Sequence, residues 1–311
     1  MRVLALVPGG VTEQLLFFPT LETLKQKYPS VVIDVLVEPR SKSTYRICPL
    51  VHEVLMFDYR DQSGLADYLN VLGIIRDREY DVAINLSRNW TLSFLLWLNG
   101  IPVRVAYGTT SSWFVSNPVT CGEDSYLATV NHNILKGLDI DSNCPPLKIS
   151  LPKEDIEWAQ NQQKLLGLDG GYIIIQGDSG DNEYPVSSWT RIIDDIRQKQ
   201  PHLSIVLLPG VIDPNWIGQM QQKNPDVKDI EPPDIGKLAA LIAGANLLLC
   251  GDSVALQLAV AVGTYTVALF GDTSKQILLP PAHDRYTGIQ SPSYKLGDIT
   301  PEAILQQMWK N

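Results

Sequence analysis

Val3-Leu4-Ala5-Leu6-Val7-Pro8-Gly9-Gly10-Val11-Thr12-Glu13 decides how this chain reads. A short apolar run stops at a proline and two glycines, and a helical pattern continues from Glu13 to Lys27. A strand with no polar alternation is buried on both faces, as in a parallel sheet covered by helices. The alternation recurs downstream. Val31 to Val37, Val82 to Leu86 and Val103 to Ala106 read as strands, with further helices over Leu65 to Arg78 and Thr91 to Leu98. The pattern then restarts. Strands fit Tyr172 to Gln176, Leu203 to Leu208, Asn246 to Cys250 and Tyr265 to Phe270; helices fit Lys153 to Leu166, Val186 to Lys199, Ile235 to Ala243 and Ser253 to Val262. Strands alternating with helices predict βαβ units.

Between the two series lies Asp139-Ile140-Asp141-Ser142-Asn143-Cys144-Pro145-Pro146, a polar stretch whose prolines cannot continue a helix. The expected domains are residues 1–150 and 151–311. The segment from Thr300-Pro301-Glu302 to Trp309 reads as a capped helix, a candidate to pack back on the N-terminal domain.

Composition narrows the function. The chain has 311 residues, 45% hydrophobic and 19% charged, with a net charge of −9. That is a globular composition with room for a core that needs no disulfide. The acidic balance argues against nucleic acid as a partner. Arg40, Lys42 and Arg46 form one local basic cluster, open to an acidic acceptor or to plain solvation. Leu92 to Leu98 is far shorter than the ~20 residues that span a bilayer, and the N-terminal apolar run is too short for a signal peptide. The expectation is a cytoplasmic protein whose scattered Cys48, Cys121, Cys144 and Cys250 are reduced. No histidines pair at ligand spacing, so no metal is expected, and neither GxSxG nor HExxH occurs.

Four loops after strands could carry chemistry, because ligands of doubly wound sheets bind at the carboxyl ends of strands. Gly9, Gly10 and Thr12 form the first, where Glu13 is either a first-turn acid complementing a helix dipole or a general base. Gly177 to Pro185, with Asp178, Ser179 and Asn182, is either a phosphate cradle or a solvated loop. Gly251-Asp252-Ser253 opens an apolar helix, as an N-cap or an anion site. Gly271 to Lys275 ends in a lysine that could reach a phosphate or lie in solvent. Trp90, Phe94 and Trp97 stand at helical spacing and are expected in the core. Trp113 and Phe114 lie in a loop that could touch a sugar or lipid acceptor.

Pro19 and Leu21, Ile33 to Glu38, Tyr80 to Leu86, Arg104 to Gly108, Leu238 to Asn246 running into Gly251-Asp252-Ser253, and Val267 to Thr273 together resemble glycosyltransferase family 9, the heptosyltransferases. The resemblance covers nearly the whole chain. It implies an α/β GT-B fold, two Rossmann-like domains with parallel sheets facing across a cleft. It implies metal-independent, inverting transfer from a nucleotide-sugar, ADP-linked in the family, to a lipopolysaccharide or other glycan acceptor. The nucleotide-sugar is a substrate, and no cofactor is implied. The N-terminal domain would hold the acceptor and the C-terminal domain the donor, with peripheral contact at the inner face of the cytoplasmic membrane.

Residue by residue, Glu13 falls where the family has a catalytic Asp, and Asp252 and Ser253 match its donor-site pair. Gln257 stands for a His, Val254 for a Gly, Asn182 for a basic residue and Asp272 for a Pro. Arg88, Arg104 or Lys275 could supply the missing charge. Two readings follow: a transferase with a rebuilt donor site, or a non-catalytic relative that binds a nucleotide, sugar or protein partner. A dinucleotide oxidoreductase is disfavoured because no glycine-rich fingerprint follows either leading strand.

Overall fold

The computed structural model describes residues 1–59, 64–87, 89–108, 112–121, 126–177, 183–209, 215–281 and 284–310. It divides into two units, Met1–Ser150 and Leu151–Asn311. The first runs β1 (Arg2–Val7), α1 (Val11–Leu15), α2 (Phe18–Lys27), β2 (Val32–Val37), a 3-10 segment (Pro39–Ile47), β3 (Glu53–Met56), α3 (Leu65–Arg76), β4 (Val82–Asn85), α4 (Trp90–Leu98), β5 (Val103–Tyr107), β6 (Asn117–Val119) and α5 (Leu127–Asn133). The second runs α6 (Lys153–Leu166), β7 (Tyr172–Gln176), α7 (Val186–Lys199), β8 (Ser204–Leu208), α8 (Trp216–Lys223), β9 (Lys228–Asp229), α9 (Ile235–Ala243), β10 (Leu247–Cys250), α10 (Val254–Val262), β11 (Thr266–Phe270), α11 (Lys275–Leu278), β12 (Tyr286–Gln290) and α12 (Pro301–Met308).

Each unit holds a six-stranded sheet, ordered β3-β2-β1-β4-β5-β6 and β12-β11-β10-β7-β8-β9. Every pairing is parallel, from Arg2 opposite Val32 to Val206 opposite Lys228. Both sheets are α/β Rossmann-like, and both follow the doubly wound order in which the winding reverses beside the first strand. The reversal falls between β1 and β4 in one sheet and between β7 and β10 in the other. The strands flanking it are buried almost throughout, which is why they are written in Val, Ile and Leu.

One expectation needs correction. The helix predicted from Glu13 to Lys27 is two helices, broken at Leu16 and Phe17. Pro19 has no N–H to give Leu15 and its ring crowds that carbonyl, so the second helix starts afresh with the proline in its first turn. The last helix buries Ile304 and Met308 in the second unit's core. The Trp309 indole N–H fixes its end by donating to Asp195 at 2.7 Å.

At the amino end of the first sheet, Asp34 is fully buried. Its carboxylate accepts from Arg2 at 2.9 Å, Tyr80 at 2.8 Å and His52 at 3.0 Å. Beside it Arg78 forks Glu53 through two bonds of 2.8 Å. Asp34, His52 and Glu53 bring three ligand-type atoms within 4.8 Å of one another, but these protein donors already engage both carboxylates. Burial alone would raise the Asp34 carboxyl; the bonds from Tyr80, His52 and Arg2 outweigh it and hold the group below the ordinary range. A depressed carboxyl contributes stability that is complete above the unfolded value of about 3.9 and is lost as pH falls through the lower folded value. We therefore expect Asp34→Asn to lower unfolding free energy by about 2–3 kcal/mol at neutral pH. The difference from the parent should shrink in urea titrations below about pH 4.

Candidate active site

In doubly wound sheets the carboxyl ends of the strands at the reversal frame the ligand crevice. In the first unit the loop there is Pro8-Gly9-Gly10. Gly9 has φ +105°, a conformation open to glycine alone among common residues. A Cβ at Gly9 would sit 2.7 Å from Glu13 Cγ, so the Glu13 side chain lies flat on this turn. A Cβ at Gly10 would stand 3.4 Å from Glu13 Oε2 and 3.6 Å from an Arg40 guanidinium nitrogen. The carboxylate and the guanidinium thus flank Gly10.

The turn is clamped from several sides. Buried Glu38 accepts from the Gly9 N–H at 3.0 Å and from Arg40 Nε at 2.6 Å. Ser41 Oγ donates to the Gly9 carbonyl at 2.8 Å. Gln14 Nε2 donates to the Val7 carbonyl at 3.0 Å, and Tyr45 OH donates to Gln14 Oε1 at 2.7 Å. Thr12 accepts the Leu16 N–H through its carbonyl at 3.0 Å. Glu38 and Gln14 went unread in the sequence, although the signal was there: Glu38 follows the strand that pairs Val37 with Val7.

In the second unit the corresponding place is the start of α10. Ser253 is its N-cap with extended backbone, yet its side chain does not cap. The Ser253 hydroxyl instead donates to Gln176 Oε1 at 2.7 Å, tying the ends of β10 and β7 together. The first N–H groups of an α-helix lack intrahelical partners and carry the positive end of its dipole. Val254 is the first helical residue and is not among the positive-φ positions, so the backbone there does not require the family's glycine. Asp252 is exposed at the mouth of this turn. Gln290, which the sequence did not point to, pins the neighbouring loop by donating to the carbonyls of Gly271 at 2.7 Å and Thr273 at 3.2 Å.

Three site candidates are engaged elsewhere. Gln257 is fully buried and donates to the Leu278 carbonyl at 2.9 Å, so it braces α10 against α11. Arg104, near the amino end of β5, gives its guanidinium to the carbonyls of Phe114, Ile101 and Pro102. Burial lowers its pKa. Lys275 sets its ammonium on the Gly288 carbonyl at 3.1 Å. Asp178, Ser179, Asn182 and Arg88 lie outside the described residues. A cavity of about 430 Å³ lined by Asn246, Tyr265, Arg285 and Trp309 opens at the amino end of the second sheet, opposite the edge that carries Ser253.

The glycine turn makes a sharp prediction. Gly9→Ala adds a clash with Glu13 to backbone strain, whereas Gly100→Ala, at φ +71° with nothing within 4 Å, adds strain alone. Thermal unfolding should therefore show Gly9→Ala less stable than Gly100→Ala by about 1–3 kcal/mol.

Comparison with known proteins adds the family. The model of glycosyltransferase family 9 (heptosyltransferase) matches residues 71–308. The photosynthetic NDH subunit of subcomplex B 1, chloroplastic, of Arabidopsis thaliana is 24% identical over 331 residues, 96% of this chain and 71% of its own length. Lipopolysaccharide heptosyltransferase 3 of Escherichia coli is 23% identical over 274 residues, 84% of this chain and 81% of its own. The structure of E. coli ADP-heptose LPS heptosyltransferase II superposes with a TM-score of 0.81 at 16% identity, covering 99% of this chain and 97% of that one. Two parallel Rossmann-like units of this kind form the GT-B fold, and this chain belongs to glycosyltransferase family 9.

Proposed function

We propose that this protein transfers a sugar from a nucleotide-sugar donor to a glycan acceptor by inversion, without a metal or a further cofactor. The observation that carries the reading is Glu13, a carboxylate laid over a glycine turn at the reversal of the first sheet. In the proposed step the acceptor hydroxyl attacks the anomeric carbon and its proton passes to a Glu13 carboxylate oxygen. The bond from that carbon to the diphosphate oxygen breaks, and the nucleoside diphosphate leaves with the electron pair. Ser253 and Asp252 would hold the nucleotide-sugar beside the start of α10, whose backbone N–H groups would face the diphosphate, since helix N-termini bind anions. An ADP-linked heptose and a lipopolysaccharide acceptor are the donor and acceptor that the names of the E. coli relatives suggest. Such an acceptor would place the protein in the cytoplasm, at the inner face of its membrane.

A second reading rests on a different observation. The Arabidopsis relative, named as a subunit of a complex, aligns with 96% of this chain. Here Asn182 stands where the family pattern has a cation. Under that reading the scaffold binds a partner and transfers nothing.

Calorimetry with ADP, GDP, UDP, CMP and their sugar conjugates separates the two. Under the first reading one nucleotide family binds at micromolar strength. Ser253→Ala then weakens it, and Glu13→Gln lowers turnover about 10²–10⁴-fold with nucleotide affinity kept. A folded protein that binds none of the panel favours the second.

A further inference from the structure

The cavity at the amino end of the second sheet lies at the opposite edge from Ser253 and takes no part in the proposed transfer. Its volume of about 430 Å³ is that of a small-molecule site. Its apolar lining is Ile173, Leu203, Leu247, Val267 and Met308, from the starts of the four inner strands and the end of α12. Ile173, Val267 and Met308 are buried, whereas Leu203 and Leu247 are half-buried.

Two aromatic residues of the lining are held by contacts of their own. Tyr265, 45% exposed, lies under the Arg285 guanidinium at 5.4 Å from its ring centre. Arg285 in turn is tied to the Gly263 carbonyl at 2.8 Å. Trp309 is fixed by its bond to Asp195, and the Lys199 ammonium stands 5.0 Å from its ring centre. A ligand therefore meets rings that are already ordered, and little side-chain freedom is lost on binding.

The polar lining identifies the ligand. It includes three primary amides, Gln200, Asn246 and Gln307, and among the described residues it includes no carboxylate. Each amide offers a carbonyl beside an NH2 group. Asn246 is oriented by the bond its Oδ1 accepts from the Tyr172 N–H at 2.9 Å, which leaves its NH2 group as the donor. A cationic ligand finds no counter-charge in this lining. A hydrocarbon chain would desolvate the amides without pairing them. A sugar would set several hydroxyls against five aliphatic side chains, where polar groups are costly to leave unpaired. A flat heterocycle suits both parts of the lining. Its faces take the aromatic and aliphatic side chains, and its edge takes the amides, as Asn and Gln pair with the edge of adenine.

We propose that this cavity binds an uncharged planar heterocycle of purine size, with its faces on Tyr265 and Trp309 and its edge on Gln200, Asn246 and Gln307. The site is separate from the Ser253 turn and does not depend on sugar transfer.

Adenosine is the probe, because it lacks the phosphates that a helix N-terminus holds. Magnetic resonance of the isotope-labelled full chain follows the Trp309 indole N–H, identified by its loss in Trp309→Phe. The resonance should move and saturate with a dissociation constant of about 0.1 mM, as ordinary ligand efficiency gives for a ligand of this size. Tyr265→Ala, with parent circular dichroism, should weaken binding about 5–150-fold, the worth of one stacked base. Gln307→Leu keeps the volume and removes one amide; it should weaken binding about 2–10-fold, and it decides the matter where Tyr265→Ala does not fold. A Trp309 resonance that does not move overturns the proposal, as does ribose moving it as far as adenosine does. So do Tyr265→Ala and Gln307→Leu variants that both bind like the parent. Adenosine binding that Ser253→Ala abolishes while the Trp309 resonance stays in place belongs to the start of α10 and overturns it as well.

Discussion

The parallel sheet is the constraint from which the rest of this structure follows. A parallel strand cannot turn back into its neighbour, so each step needs a crossover, and each crossover lays a helix on a sheet face. The helices bury both faces and demand apolar strands. The reversal of winding beside the first strand then leaves the carboxyl ends of β1 and β4, and of β7 and β10, uncovered by any crossover. The Gly9–Gly10 turn and the start of α10 are both products of that one topological fact. Their side-chain supports differ. The first is held by Glu38, Ser41 and Gln14, all gripping Gly9 or the end of β1. The second is tied by the bond from Ser253 to Gln176.

The same constraint explains which strands could be read from the sequence. All eight inner strands stand out as apolar runs. The four that did not, β3, β6, β9 and β12, are the four sheet edges. An edge strand pairs on one side and meets solvent on the other, so it tolerates polar residues, prolines and short length. Glu53-Val54-Leu55-Met56, Asn117-Pro118-Val119, Lys228-Asp229 and Tyr286-Thr287-Gly288-Ile289-Gln290 show each of these departures. Apolar periodicity reports burial and not strand pairing.

Candidate site positions were legible where they lie in the loop or first helical turn after a buried strand, as Glu13 and Ser253 do. Roles set by tertiary partners were not. Nothing local separates an arginine that meets a phosphate from Arg104, which serves three carbonyls of its own unit. Gln257 reads as a ligand donor only until its burial and its bond to Leu278 are known. Trp90 and Trp97 share helical spacing with core residues, and only the position of α4 on the sheet shows that they belong to the opposite stripe.

Under the transfer reading, the start of α10 poses a problem of charge. Departure of a nucleoside diphosphate builds negative charge, and removing one preorganised donor from such a site typically costs about 10²–10³ in rate, roughly 2.7–4 kcal/mol. A helix N-terminus contributes about 0.3–1 kcal/mol at the surface and at most about 2 in partly buried geometry. Therefore α10 alone does not replace a lysine at the position of Asn182. Lys275 does not close the gap as it stands, since its ammonium rests on the Gly288 carbonyl and would have to leave it first. The first unit offers no free cation at its turn either: Arg40 stands beside Gly10, but its guanidinium is paired with buried Glu38 and the Glu13 carboxylate lies against the same glycine.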